Sequence, residues 1–371
     1  MAAGKKTISG GAKSSMHKRA VTFVHDYIPS YPPSTASDFP ALWVISEDSS
    51  DVFSYPFPRN PADFHELGGV ITGAEPLRDA RDFERLPRYG FTGAASQGSS
   101  IYAGSWNAVF EISAEDFHLV RILSNPLMND LHGICVRGNV LVTVLTGKDA
   151  VVFTDLESGE VVDFFVVGKD LKISRPESLL DVDWRFISKQ HRGATGNWHF
   201  NYVQFVGDQL FLTSRNVGSF VSVDIQSSLA SIRTINHKTP VLLHDGIHHD
   251  GAFYFTSIDG KIIVAEEAQS ASHNPREHVD DISLFTRDLV SKVVRIEDTE
   301  YGKQPNWCRG ICVEDDIVST CVDGRYDTDL SFGLLSVSLS GRLYFDARLR
   351  WSDIGDEEQM RFLTGFDVIS I

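Results

Sequence analysis

One phrase returns along this chain at irregular intervals: a small polar residue, a glycine, an apolar stretch, a tight polar turn, a second apolar stretch, a polar corner, and a third. Copies begin at Thr92 (TGAASQGSSIYAGSWNAVFEIS), His132 (HGICVRGNVLVTVLTGKDAVVFTDL), Asn201 (NYVQFVGDQLFLTSRNVGSFVSVDI), Asp245 (DGIHHDGAFYFTSIDGKIIVAEE) and Arg309 (RGICVEDDIVSTCVDGRYDTDLSFGLLSVSL). Apolar residues alternating at period two between turn residues make each copy strand, turn, strand, corner, strand. Several copies are followed by one more strand, such as HLVRIL or LVSKVVRIE. A four-stranded antiparallel unit of about 40 residues cannot bury both faces alone, and repetition of such a unit predicts a β-propeller. The starts at 92, 132, 201, 245 and 309 are spaced by 40, 69, 44 and 64 residues, so two blades carry insertions.

The two ends complete the count. The closing LTGFDVISI matches only the first strand of a copy, with Thr364 and Gly365 where His132 and Gly133 stand. Near the start, ALWVISEDSSDVFSYPF (Ala41 to Phe57) matches only the second and third strands. Joined, they make one further blade whose inner strand comes from the C-terminus, a closure that leaves no open sheet edge. The expectation is therefore an all-β, six-bladed propeller over residues 21–371, with a loose basic tail at 1–20. A pair of β-sandwiches would also explain alternating strands, but not complementary half-blades at the termini.

Composition narrows the partners. A formal charge of −16 and a pI near 5.2 argue against a nucleic-acid or anionic-membrane surface, which needs clustered Lys and Arg. The first twenty residues have no apolar signal-peptide core, and no later run reaches the 18 or so apolar residues of a membrane span. The expectation is a soluble, cytoplasmic protein. Four cysteines, Cys135, Cys308, Cys312 and Cys321, lack paired CxxC spacing and read as buried thiols.

Propeller geometry brings distant residues together, because each inner strand starts on the face that also carries the corner between the second and third strands. The six inner-strand starts are Thr92, His132, Asn201, Asp245, Arg309 and Thr364, and just upstream lie Asp130, His199 and His244. None is apolar, so a polar ring is expected at the mouth of the axial channel. The corners add Trp106 and Asn107, Lys148 and Asp149, Arg215 and Asn216, Asp259, and Arg325 and Asp327. Three of these five corners carry a cation, which suits a carboxylate or phosphate on a small ligand. The Asn and Asp residues also suit tight corners for their own sake. The longer insertion, residues 170–198, arches toward this mouth as a lid bringing Asp183, Trp184 and His191 over the site, or as a packing plug.

His132, His199 and His244 with Asp130 and Asp245 supply donors for a divalent ion, a transition metal for the imidazoles or calcium for the oxygens. The same histidines are candidates for acid and base work, with or without metal. Arg309, Arg215, Lys148, Trp106, Asn201 and Arg325 would then grip a small anionic substrate. A non-catalytic propeller binding a protein or glycan through its rim, with an exposed Trp106 as anchor, is the other expectation.

The blade pattern with His132, Asn201 and Asp245 at inner-strand starts resembles the gluconolactonase and senescence-marker superfamily of six-bladed propellers. The resemblance implies a divalent cation, often calcium, at the channel mouth, and opening of lactones or esters. This chain departs from the acidic and amide ligand set of that family by presenting three histidines and Arg309.

Overall fold

The computed structural model of the chain describes residues 18–26, 40–46, 52–56, 70–72, 88–186, 198–215, 219–226, 229–233, 235–236, 243–267, 289–295, 307–323, 331–350 and 363–371. Strands form where the sequence alternates, and they reverse where a residue tolerates left-handed backbone. Gly138, between the strands Leu131–Arg137 and Val140–Leu145, has φ +60°, and a Cβ there would touch nothing, so the angle alone calls for glycine.

The described strands make six sheets. In chain order the first five blades open with the inner strands Gly93–Gln97, Leu131–Arg137, Phe200–Val206, Leu243–His249 and Trp307–Glu314. Each continues outward through at least three antiparallel partners. The sixth sheet has the C-terminal Leu363–Ser370 innermost, then Lys18–Asp26, Pro40–Ser46 and Val52–Pro56. Every inner strand packs on the inner strand of the next sheet, and the sixth packs on the first, so the ring closes. The fold is a β-propeller.

The closure uses both termini, as the repeat requires, but one strand is displaced from expectation. Lys18–Asp26 is the second strand of the closing blade, and Ala41 to Phe57 supply its third and fourth strands rather than its second and third. The strand also begins inside the expected tail. KRAVTFVHD escapes a repeat-based reading because it carries a basic start and no glycine turn. Arg19 shows that this segment is integral. Its side chain is 2% exposed and donates to Ser319 Oγ (3.4 Å), Ser370 Oγ (3.3 Å) and Glu314 Oε2 (2.7 Å), tying the closing blade to the fifth.

The core lies between blades. Leu123, Leu131, Leu141 and Val152 fill the first contact and Val144, Val151, Phe200 and Leu212 the second. An aromatic cluster fills the third, with Phe220 and Phe253 rings 4.7 Å apart. No helix among the described residues is long and apolar enough to cross a membrane.

Two details bring the inner strands close at one end. Gly133 packs on the third blade so tightly that a Cβ would lie 2.8 Å from the Asn201 carbonyl and the Tyr202 Cα, and Gly310 packs likewise on Asp367. The inner strands of blades two to five each carry a register shift near their start, at His132–Gly133, Asn201, His244–Asp245 and Gly310–Ile311. The sixth has the same shift at residue 366. A β-bulge re-aims the side chains around it, so the recurrent bulge presents the polar inner-strand starts at one rim.

Candidate functional site

The rim is built from residues held in uncommon backbone. Asp130 and His199, each one residue before an inner strand, sit at φ +52° and +53°. His132 is buried, its Nε2 3.6 Å from Asp130 Oδ1, and its ring meets that of His199 edge-on with centroids 5.5 Å apart. Burial drives the His199 imidazole down to about 2, and the neighbouring His132, Arg215 and His244 push the same way against Asp130. His199 is thus a neutral imidazole, able to accept a hydrogen bond. The same set of interactions places residues of the second, third and fourth blades around one point.

In the fourth blade His244 Nδ1 lies 2.6 Å from Asp245 Oδ2, both side chains buried. Asp245 also accepts from the Gly310 amide at 2.6 Å. Burial lifts its carboxyl to about 7, against the pull of that amide and of Arg309. A sixth-blade carboxylate joins it. Asp367 accepts from Ala94 N (2.8 Å) and Val368 N (2.9 Å), and burial together with the charge of Asp245 raises it well above the usual range. Burial raises the Tyr202 phenol well above its ordinary range, and the charges of Asp367 and Asp245 push the same way.

Asn201 is an expected member in an unusual setting. Its side chain is 1% exposed, and neither its amide oxygen nor its nitrogen has a hydrogen-bond partner among the described residues. Buried amides almost always find one.

The expected residues divide accordingly. His132, His199, His244, Asp130, Asp245 and Asn201 lie at the blade-inner rim, with Arg215 and Arg309 acting electrostatically on His199 and Asp245 respectively. Two corner residues behave differently. Trp106 is 2% exposed, so it is a core ring and offers no anchor on an open rim. Lys148 is buried with its Nζ 3.7 Å from the centre of the Trp184 ring, engaged in a cation–π contact rather than held out to a ligand. Thr92 closes its own hairpin by donating to the Gly104 carbonyl at 3.1 Å. Arg325, His191, Asn216 and Asp327 lie outside the described residues.

The insertion after the second blade, as far as Phe186, is fastened over the corners of blades one and two. Trp184 N donates to Pro126 O (2.7 Å), Asn129 Nδ2 to Trp184 O (2.5 Å) and Asn107 Nδ2 to Arg185 O (3.3 Å). Asp183 is bound to Arg185, with Nε donating to Oδ1 at 2.8 Å. This part therefore packs on the scaffold. Asn107 at its corner and Asn129 in the link between the first two blades both donate to backbone.

Sequence reasoning missed Asp367 and Tyr202. Asp367 left one signal, a lone acid in the inner strand LTGFDVIS.

Among the described residues no three His, Cys, Asp or Glu side chains are grouped so as to hold a metal ion. The acids pair singly with imidazoles, Asp130 with His132 and Asp245 with His244. No chemical step is routed through the cation that the lactonase resemblance implies.

No protein-family model matches the chain, and no curated protein matches it either. Solved structures do. The WD40 repeats of RRP9 align over 92% of this chain and 83% of that one at 11% identity and a TM-score of 0.45. A putative 6-phosphogluconolactonase from Bacteroides uniformis aligns over 90% and 82%, at 11% identity and 0.44. The computationally designed Ika8 protein aligns over 69% of this chain and 61% of its own, at 11% identity and 0.36. These likenesses concern the fold, and nothing about function is drawn from them.

Proposed function

We propose that this propeller is an enzyme that holds a small anionic metabolite at its axial rim and acts on it by histidine-mediated proton transfer, in a hydrolysis, elimination or isomerisation. The observation that carries the reading is the buried amide of Asn201, which has no hydrogen-bond partner among the described residues. An unpaired buried polar group destabilises a fold by about 1–3 kcal/mol. Such a group is retained where something other than the chain completes it, and a ligand with polar groups does so.

The surrounding chemistry assigns roles. Neutral His199, whose protonation burial disfavours, accepts a hydrogen bond from the ligand, and its contact with His132 aligns the two rings across blades two and three. Asp245, lifted to about 7 and bound to His244, holds or releases a proton near neutrality, where an acid–base pair works best. Arg309 and Arg215 supply the charge that attracts an anion to a strongly acidic protein. The four free thiols suit a reducing, cytoplasmic setting.

Thermal unfolding against a panel of small organic acids and phosphate esters tests this. At a concentration 100 times its dissociation constant a ligand stabilises by about 2.7 kcal/mol. At least one compound should raise the unfolding temperature of the parent by several degrees, fail to do so in Asn201→Leu, and be converted to product when followed by NMR. A shift that survives Asn201→Leu, or a panel without any shift, would sink the rim reading. Stabilisation without turnover would leave a binding protein in place of an enzyme.

A further inference from the structure

We propose that the buried carboxylate of Asp149, at the corner of the second blade, is the positioning group that sets the His199 imidazole against His132. The inference rests on reading the rim as a ligand site, and it adds a residue that does not touch the ligand.

Asp149 is fully buried, and both its oxygens leave its own blade. Oδ1 accepts from the His199 amide at 2.8 Å and Oδ2 from the Trp198 amide at 3.1 Å. These two amides lie where the chain enters the third blade, and a carboxylate accepting both makes charge-assisted bonds, stronger than neutral ones. The corner of the fourth blade shows that this is not what every corner acid does. Asp259 bonds within its own turn, to the Ser257 hydroxyl at 2.5 Å and to Lys261.

What Asp149 holds is a strained residue. His199 sits at φ +53°, uncommon for a bulky side chain, and such backbone persists only where the surroundings over-determine it. The other restraints on this segment fall elsewhere. Ser214 Oγ donates to the Trp198 carbonyl (2.6 Å), Trp198 Nε1 donates to Val167 O (3.1 Å), and Arg215 N donates to the His199 carbonyl (3.2 Å). They anchor the tryptophan and the carbonyl side, whereas the amide side of His199 is fixed by Asp149. Released to negative φ, the ring would swing away from its edge-on contact at 5.5 Å with His132.

Amide hydrogen exchange and imidazole NOEs, measured by NMR on the full chain, test this without any ligand. In Asp149→Ala the amides of Trp198 and His199 should lose protection by about 100-fold, local opening replacing global. The NOE between the His132 and His199 rings should vanish, while Val203 and Leu210 in the same blade keep their protection. Asp149→Asn retains one acceptor and should keep one protected amide and a weakened NOE. It carries the same test should the alanine variant fail to fold. A ring-to-ring NOE unchanged in either variant would overturn the proposal. So would protection falling evenly through the third blade, the mark of a residue that only packs. Because these signals come from the free protein, failure of every small acid to bind would count against the rim as a site and leave this result standing on its own.

Discussion

Nδ1 of His244 lies 2.6 Å from Oδ2 of Asp245, and that same oxygen accepts the Gly310 amide of the next blade. One carboxylate therefore serves an imidazole of the rim and the contact between the fourth and fifth blades. Its proton affinity bears on stability as well as chemistry.

Folded, the Asp245 carboxyl stands near 7, whereas an unfolded aspartate titrates near 4. Between those values the folded state binds more protons, so raising the pH through that window removes stability. Asp245→Asn keeps an acceptor for Gly310 and drops the charge. Its stability relative to the parent should rise from about pH 4 to about pH 7, by an amount on the order of a few kcal/mol, and then level off. His244, Arg309 and Asp367 face the group and are common to both proteins. Urea midpoints across pH 4 to 8 measure the difference, and a flat difference would refute it.

Asn201→Leu should not destabilise the ligand-free protein. It removes a buried donor and acceptor that have no partner among the described residues, so the expected change is neutral or a gain of about 1–2 kcal/mol. Chemical denaturation checks the sign. A loss of 2 kcal/mol or more would mean that ordered water already completes the amide.

Gly133→Ala should lower stability by about 2–4 kcal/mol. The added methyl meets the Asn201 carbonyl and Tyr202 Cα at 2.8 Å, and backbone cannot step aside as a side chain can. Tolerance of alanine at normal stability would show that the ring is looser at the rim than described.

Arg19→Ala removes the guanidinium bond to Glu314 and leaves two serine hydroxyls facing a void where the closing strand meets the fifth blade. Loss of about 2–4 kcal/mol is expected, since one partner of a largely buried pair is left behind. Arg19→Met paired with Glu314→Gln should recover part of it in the same denaturation series.

Burial pushes the Cys135 thiol up to about 12 and Cys312 up to about 11, and Cys321 is raised as well. Thiolate is the reactive form. Iodoacetamide at pH 8 should leave these three unlabelled in the native protein and label them fully in urea, as read by intact mass. Rapid native labelling would contradict their placement.

The propeller was legible in sequence because period-two alternation and turn residues are local properties, repeated often enough to stand out. The closing blade was half legible. Its C-terminal strand matched the repeat, while Lys18–Asp26 did not, since its partners across the sheet, and not its own pattern, make it a strand. At the rim the chemical identity of His132, His199, His244, Asp130, Asp245 and Asn201 could be read from the polar starts. The burial of Trp106 and the capture of Lys148 by Trp184 could not, because both depend on where the insertion packs.

By itself, then, the sequence determined the repeating unit, the pairing of the two termini and the polar character of one end of the inner strands, all set by patterns within a few tens of residues. Only the tertiary structure decided which polar groups meet. The pairing of Asp245 with Gly310 and the reach of Asp149 to His199 join residues from different blades. Such contacts follow from the bulges and close glycine approaches that close the ring, and no local periodicity encodes the distance between one blade and the next.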